Sequence, residues 1–220
     1  WGTLYQGRAF RRHSTSGAIT MDVQGAHARG ANARSLGVCM IGDYTARMPA
    51  EIGLRKLVEL FAWKARQMPL DVLSTRPING RSYDIVSGHR DISNTACPGD
   101  TFYPYLPMLR QRVHALLYPP IVAELEAEVD AREASAAQLS ASVDPQGSRT
   151  VWYFEYGTRA GLNDAAATAA EELRDPGEGP NSVQANLYGL AEGTTYYYRL
   201  VAVNSDTLTY SSVQQFAAGQ

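Results

Sequence analysis

The chain has 220 residues, a formal net charge of -2, 45% hydrophobic residues and 19% charged residues. This balance is typical of globular domains and excludes a disordered chain, and without a basic block nucleic acid is not expected as a partner. No run of about 18 apolar residues occurs, so the sequence predicts no transmembrane segment.

Two apolar runs near the start predict strands, because they are short and bounded by glycine-rich turns. They are GTLYQGRAF (2–10) and SLGVCMIGDY (35–44). Cys39 lies in the second run and is predicted to be a small buried core residue. The chain opens at Trp1 rather than at Met, and we interpret it as a fragment or processed product whose export signal would lie upstream.

Two amphipathic helices and one further strand follow. After Pro49, apolar residues recur at helical spacing, at Leu54, Leu57, Val58 and Phe61. YDIVSGH (83–89) predicts a strand that ends at His89. A second helix is predicted over 101–117, with Asp100 as its N-cap and Leu106, Leu109, Val113 and Leu116 on its apolar face. Pro104 and Pro107 should keep its first turns irregular.

The second half of the chain reads as strands and turns, which predicts a β-sandwich over residues 119–220. In TTYYYRLVAVNS (194–205), alternation places Tyr196, Tyr198, Leu200 and Ala202 inward and Val201 outward. Leu190 precedes Tyr196 across a turn, the spacing of a tyrosine corner. Read alone, the acidic and Ala-rich segment after Pro120 could instead begin as a linker helix.

Three segments of this half resemble a fibronectin type III-like module of bacterial exported proteins. They are SASVDPQGSRTVWYFEYGT (140–158), LYGLAEGTTYYYRLVAVNS (187–205) and QQF (214–216). The resemblance implies that VAELEAEVDAREASAAQLSASVDP (122–145) forms the first two strands rather than a helix. It leaves 159–180 as an irregular loop.

The segment GHRDISNTACPGD (88–100) sets His89 and Cys97 in one short polar loop. A thiolate and an imidazole are both good zinc ligands. Their spacing is not that of a zinc finger, so the residues alone leave three interpretations open. These are a metal site, a cysteine–histidine nucleophile pair, and an exposed histidine beside a structural cysteine.

Together with GTLYQGRAF and GAHARGANARSLGVCMIGDY (25–44), this loop resembles the zinc-dependent N-acetylmuramoyl-L-alanine amidases of the peptidoglycan recognition protein family. The resemblance rests on GHRD, T-x-CPG and N-x-x-S-[IL]-G, and it covers residues 1–117. It implies an α/β domain, a mixed sheet flanked by helices. It also implies hydrolysis of the amide bond between N-acetylmuramic acid and L-alanine in bacterial peptidoglycan.

By that resemblance His89 and Cys97 are two of three ligands of zinc (Zn2+), and Thr95 is a catalytic hydroxyl beside the metal. The alternative for Thr95 is a loop hydroxyl that only satisfies the local backbone. The third ligand, a histidine, is expected upstream of Trp1, and neither His13 nor His27 is expected to replace it. We therefore expect the complete protein to be a zinc hydrolase and residues 1–220 alone to be inactive.

His27 matches a position on the wall of the family's substrate groove, and Asn32 matches the family's loop asparagine before the central strand, so both are expected to be substrate-binding residues. For His27, a lone histidine, simple surface exposure is the alternative. Asn32 has a structural alternative, in which its side chain caps a turn. Arg90 is predicted to buttress the loop through Asp91 or a backbone carbonyl rather than to bind substrate.

Three functions follow from these readings. The first is a secreted peptidoglycan amidase that acts outside the cell or in the wall, and the presence of Cys97 favours it. The second is a recognition protein that binds muropeptide without cutting it. The third is an interaction protein led by the sandwich, with wall contacts through Tyr153, Tyr156, Tyr188 and Tyr210, although such residues also pack within sheets.

Overall fold

The computed structural model describes residues 2–7, 11–12, 19–20, 24–129, 132–173, 177 and 179–219, and all that follows refers to these residues. The chain divides into two compact units, Trp1–His114 and Ala115–Gln220. In the described ranges every helix is too short or too polar to cross a lipid bilayer.

The helices of the first unit follow the predicted periodicity. Helix α1 (Glu51–Gln67) buries Leu54, Leu57 and Val58. Helix α2 (His89–Ile92) is a single turn, and helix α3 (Leu106–Leu117) follows a 3-10 turn at Tyr103–Tyr105, which confirms the irregular start expected from the prolines. Asp100 is not the helix cap that we predicted, because the 3-10 turn begins at Tyr103 with Phe102 at its N-cap. The Asp100 carboxylate instead forms an ion pair with Arg90.

The sheets of the first unit are two antiparallel strand pairs in the described residues. Strand β1 (Arg11–Arg12) pairs with β2 (Ile19–Thr20), and β3 (Thr75–Ile78) pairs with β4 (Arg81–Asp84). Helices and strands thus occur together, as expected for an α/β domain, but the described part of this unit contains no mixed sheet.

The strand predictions for 2–10 and 35–44 are wrong at 2–7 and throughout 35–44, and residues 8–10 lie outside the described residues. Cys39 is exposed rather than buried. A strand requires a neighbour that pairs with its backbone N–H and C=O groups. No described segment pairs with these two runs as a strand. An apolar run alone therefore did not reveal whether its side chains would be covered.

The hairpin formed by β3 and β4 turns at Asn79 and Gly80, both with positive φ (51° and 78°), as a tight type I′ hairpin turn requires. The Asn79 side chain donates to the Gly30 carbonyl at 2.8 Å. Strand β4 ends at Asp84, so the strand predicted over 83–89 is correct only for its first two residues.

The second unit is a β-sandwich built from two antiparallel sheets. One sheet has the order β10-β6-β5. In the other, β11 pairs with β12, β13 and β7, and β7 also pairs with β8 and β9. The strands are β5 (Ile121–Val129), β6 (Ala137–Asp144), β7 (Val151–Gly157), β8 (Ala166–Ala167), β9 (Glu171–Glu172), β10 (Asn181–Leu187), β11 (Thr195–Val203), β12 (Leu208–Tyr210) and β13 (Gln214–Ala217).

This arrangement tests the two readings of the acidic segment. The strand interpretation of 122–145 is confirmed by β5 and β6, and the linker-helix interpretation is wrong; positions 130 and 131 lie outside the described residues. The segment 159–180 is less irregular than expected, because β8 and β9 lie in it and add to the edge of β7. Positions 174–176 and 178 of that segment lie outside the described residues.

The core of the sandwich lies between the two sheets and includes Leu139, Phe154 and Leu200, all fully buried. The inward row predicted for β11 is confirmed at its buried members Tyr198, Leu200 and Ala202. Val201, predicted to face outward, is also fully buried. Its direct cross-strand neighbours are Tyr153 and Tyr210, and alternation along one strand cannot reveal such neighbours.

The predicted tyrosine corner is confirmed. The Tyr196 hydroxyl accepts a hydrogen bond from the Ala191 N–H at 3.0 Å, and the Tyr196 ring stacks on Phe216 with centroids 5.7 Å apart. Leu190 is buried at the start of the turn. The corner therefore ties the turn before β11 to a side chain that packs on the core.

Tyr196→Phe should lower the free energy of unfolding of the second unit by about 1 kcal/mol, because the Ala191 N–H loses its acceptor. Hydrogen exchange of the β11 amides measures this change locally. Tyr188→Phe is the matched control, because the Tyr188 side chain is 67% exposed. Equal protection in the two variants would contradict a stabilising corner.

Candidate active site

The polar loop begins at helix α2, with His89 as its first residue. The Gly88 N–H donates to Asp91 Oδ2 at 2.7 Å, and the Ser93 N–H donates to the His89 carbonyl at 2.9 Å. An aspartate in the first turn satisfies a backbone donor that the helix leaves unpaired. The backbone at His89 is thus held from both sides, and its side chain is half-buried.

A backbone hydrogen bond closes the loop on itself. The Arg90 N–H donates to the Cys97 carbonyl at 3.0 Å, so the segments carrying His89 and Cys97 lie side by side. The Cys97 thiol is free and exposed. Thr95 Oγ1 accepts from the Cys97 N–H at 3.2 Å. The structure therefore brings three of the predicted site residues together, while their functional roles remain predictions.

The Arg90 guanidinium contacts several groups in and beside this loop. It donates to the Ala96 carbonyl, lies 2.8 Å from Asp100 and stacks 4.8 Å from the centre of the Tyr103 ring. The predicted buttressing by Arg90 is confirmed. Because carbonyls and a carboxylate within the loop already engage Arg90, it is not positioned as a substrate-binding cation.

Tyr103 was missed by sequence reasoning. Its hydroxyl donates to Asp91 Oδ1, and this hydrogen bond, together with the negative charge of Asp91, raises the pKa of the Tyr103 phenol. The two residues are twelve positions apart and belong to different elements. No motif spacing signals the contact, and the sequence shows only that Tyr103 is one of two aromatic residues that follow the CPGD turn within three positions.

The end of the loop docks on the segment around Tyr44. The Thr101 N–H donates to the Tyr44 carbonyl at 3.2 Å, and the Thr101 hydroxyl donates to the Thr45 carbonyl at 2.8 Å. Gly99 has a positive φ of 101°, and a Cβ there would lie 2.4 Å from the Tyr44 carbonyl carbon. Only glycine permits this approach.

The other two predicted residues, His27 and Asn32, form a second polar cluster. Asn32 Oδ1 accepts from the N–H groups of His27 and Ala28 at 2.9 and 2.7 Å, so the expected turn-capping is confirmed. Burial, and then the charge of His89, lower the pKa of His27. His13 lies outside the described residues.

Two of the predicted site residues carry donor atoms that suit zinc. His89 offers an imidazole nitrogen and Cys97 a thiol, both preferred zinc ligands. Among the described residues no three histidine, cysteine, aspartate or glutamate side chains converge on one point. These residues therefore fit two positions of a zinc centre and do not supply a third.

An open groove adjoins the loop, but His89, Thr95 and Cys97 do not line it. It is lined by Arg81, Ser82, Tyr83, Asp84, Ser87 and Asp91. Its walls come from β4, from Ser87 and from Asp91 of helix α2, and neither Thr95 nor Cys97 lines it. We therefore locate the candidate site by its functional groups rather than by the shape of this groove.

Residues 2–100 match the family model described as N-acetylmuramoyl-L-alanine amidase. The match covers a little under half of the chain and falls within the first unit. Proteins named N-acetylmuramoyl-L-alanine amidase show the same similarity. The human protein is 37% identical over 82 residues (37% of this chain, 13% of its own length), and the mouse protein is 32% identical over 105 residues (48% and 16%).

The chain thus spans about one-eighth of the length of the human relative. These matches support a peptidoglycan amidase or recognition function for the first unit in general terms. They do not extend to the activity of a whole protein.

Two solved structures share a weak likeness with the chain. The sensor domain of the anti-sigma factor RsgI4 in Pseudobacteroides cellulosolvens is 20% identical, with a TM-score of 0.36, and covers 46% of this chain and 96% of that one. The third fibronectin III domain of human KIAA0343 protein is 14% identical, with a TM-score of 0.26, and covers 43% and 78%. Structural similarity this weak does not establish a shared fold, so the fibronectin type III assignment stays a prediction.

The hydrogen bond between Tyr103 and Asp91 predicts that Tyr103 ionises above the usual tyrosine pKa of about 10. The phenol must keep its proton to donate, so this contribution to stability is present below pH 10 and is lost as the pH rises through the folded-state pKa. Asp91→Asn should lower the pKa toward its ordinary value. Ultraviolet difference titration against Tyr103→Phe measures it, and an unchanged pKa in Asp91→Asn would contradict this pairing.

Proposed function

We propose that this chain is part of a zinc-dependent N-acetylmuramoyl-L-alanine amidase, which hydrolyses the amide bond between N-acetylmuramic acid and L-alanine in bacterial peptidoglycan. The observation that supports it most is the closed loop that carries His89, Thr95 and Cys97 inside the region matched by the amidase family model. Since peptidoglycan lies outside the cytoplasm, we propose an extracellular or cell-wall location.

Five residues in or beside the loop have a defined task in this proposal. His89 and Cys97 would hold zinc together with a histidine from outside the described residues. When bound, zinc lowers the pKa of a coordinated water and polarises a carbonyl group. Arg90, Asp91 and Tyr103 keep the loop in place through the contacts described above.

Thr95 is suited to donate a hydrogen bond. Its oxygen accepts from the Cys97 N–H, so its single hydroxyl proton is left for another partner. We assign that proton to the carbonyl oxygen of the scissile amide, which gains negative charge as the carbonyl carbon is attacked. We assign His27 and Asn32 to substrate binding. Asn32 acts indirectly, because its side chain holds the backbone at His27.

The second candidate function is recognition of peptidoglycan without hydrolysis. One observation favours it, because no three histidine, cysteine, aspartate or glutamate side chains of the described residues converge to hold a metal ion. In that case the same surface would bind muropeptide and release no peptide. In either case the sandwich is proposed as a spacer or wall contact, and among its candidate tyrosines Tyr188 and Tyr210 are exposed.

The complete protein that carries this sequence should contain about one zinc ion per chain by elemental analysis. Cys97→Ser and His89→Ala should each lose it. Cys39→Ser is the matched control, because that thiol is also free and exposed but lies outside the loop. Zinc retained in Cys97→Ser would refute the ligand assignment, and wall lysis that persists in a chelator would refute metal dependence.

Thr95→Val should lower kcat for peptide release about 100-fold, since a donor to the developing negative charge is lost, while zinc content stays unchanged. Thr95→Ser keeps the hydroxyl and should restore most of the rate. Full activity of Thr95→Val would remove Thr95 from the reaction. Muropeptide binding with no release by the unaltered protein would instead support the recognition function.

A further inference from the structure

The two neighbours of the Ser35 hydroxyl determine which hydrogen bond it donates and which it accepts. Ser35 Oγ lies 2.8 Å from the Ala31 carbonyl oxygen and 2.8 Å from His27 Nε2. A carbonyl oxygen can only accept, so the single hydroxyl proton of Ser35 is donated to Ala31. The hydroxyl oxygen must then accept from His27, which puts the imidazole proton on Nε2.

The remaining ring nitrogen, Nδ1, therefore carries a lone pair in the neutral imidazole. Among the described residues no group hydrogen-bonds to it. Gly25 and Gly37 flank it, and a Cβ at either position would lie 2.5 or 2.6 Å from Nδ1, closer than such atoms approach. Glycine at both positions avoids this clash with the ring of His27, which is only partly buried, and Asn32 holds the backbone at His27.

We infer that Ser35 is a positioning residue, which holds His27 as the Nε2–H tautomer so that Nδ1 accepts a hydrogen bond from an N–H or O–H group of a wall fragment. The ligand group at this point is thus a donor, such as a peptide amide or a sugar hydroxyl, and not a carboxylate. The tautomer follows from the geometry alone, whereas its use in binding rests on the proposed function.

The tautomer is measured by long-range 1H–15N NMR of the chain labelled at histidine, with His27→Gln to assign the His27 signals. We expect a protonated Nε2 and an unprotonated Nδ1. Ser35→Ala should give a mixture of tautomers, and Ser35→Thr should restore the single form. Ser74→Ala is the matched control, because Ser74 also donates to a backbone carbonyl, that of Asp71 at 2.7 Å, with no histidine involved.

A protonated Nδ1 in the unaltered chain would overturn the inference, and so would a single unchanged tautomer in Ser35→Ala. Either result would be independent of what the protein binds. The tautomer experiment therefore fails or succeeds separately from the proposed function.

Binding is measured by titrating the complete protein with soluble muramyl tripeptide. The loss of one oriented neutral hydrogen bond should weaken binding about three- to tenfold in Ser35→Ala, with Ser35→Thr and Ser74→Ala unchanged. The His27 Nδ1 signal should shift on saturation while staying unprotonated. Protonation of Nδ1 on binding would indicate a carboxylate partner and overturn the donor assignment.

Unchanged affinity in Ser35→Ala would show that Ser35 does not position the binding group. No binding by the unaltered protein would refute the proposed function and, with it, the use of His27 in recognition. The tautomer assignment would still stand on its own NMR result.

Discussion

The candidate site depends on how Arg90 holds the loop from Gly88 to Thr101. Its guanidinium binds carbonyl oxygens on the far side of the loop, and its backbone N–H binds the Cys97 carbonyl. Hydrogen bonds from a charged donor contribute about 1.5–3 kcal/mol each. The ion pair to Asp100 adds less, because the Asp100 side chain is 75% exposed and exposed pairs contribute about 0–1 kcal/mol.

This constraint matters because the proposed chemistry requires groups that are eight residues apart to act on one bond. A flexible loop would spread His89, Thr95 and Cys97 over many arrangements, and misplacement by even about 1 Å costs catalysis heavily. The Arg90 contacts inside the loop and the Asp91–Tyr103 hydrogen bond beside it reduce that freedom. Docking of Thr101 on the Tyr44 carbonyl fixes the same loop to a separate segment.

The two units are stabilised by different kinds of contact. The sandwich encloses an apolar core between two sheets, in which Leu139, Phe154 and Leu200 are fully buried. The first unit relies on helices and on polar contacts between loops, and large apolar side chains such as Tyr5 and Ile41 are more than 80% exposed. The residues proposed to bind and cut therefore lie in loops held by hydrogen bonds, as expected for functional groups carried on a helical scaffold.

Local patterns predicted the parts of the structure that depend on local physics. Helical periodicity located α1 and α3, and the spacing from Leu190 to Tyr196 predicted the tyrosine corner, because these patterns reflect neighbours along one element. The residues GHRD and CPG likewise marked one loop from sequence alone. The resemblance, rather than periodicity, corrected the first strands of the sandwich.

Tertiary structure decided what depends on partners distant along the chain. Cys39 is exposed because its apolar run lacks a paired strand among the described residues, which an apolar run by itself cannot reveal. Tyr103 hydrogen-bonds to Asp91 across twelve residues of sequence. Ser35 fixes the tautomer of His27 only because the Ser35 hydroxyl donates its hydrogen bond to the Ala31 carbonyl. The sequence by itself determined which chemical groups are present and which local elements form. Their hydrogen-bond partners, and hence the protonation and orientation of each group, required the fold, because such contacts follow distance in space rather than spacing along the chain.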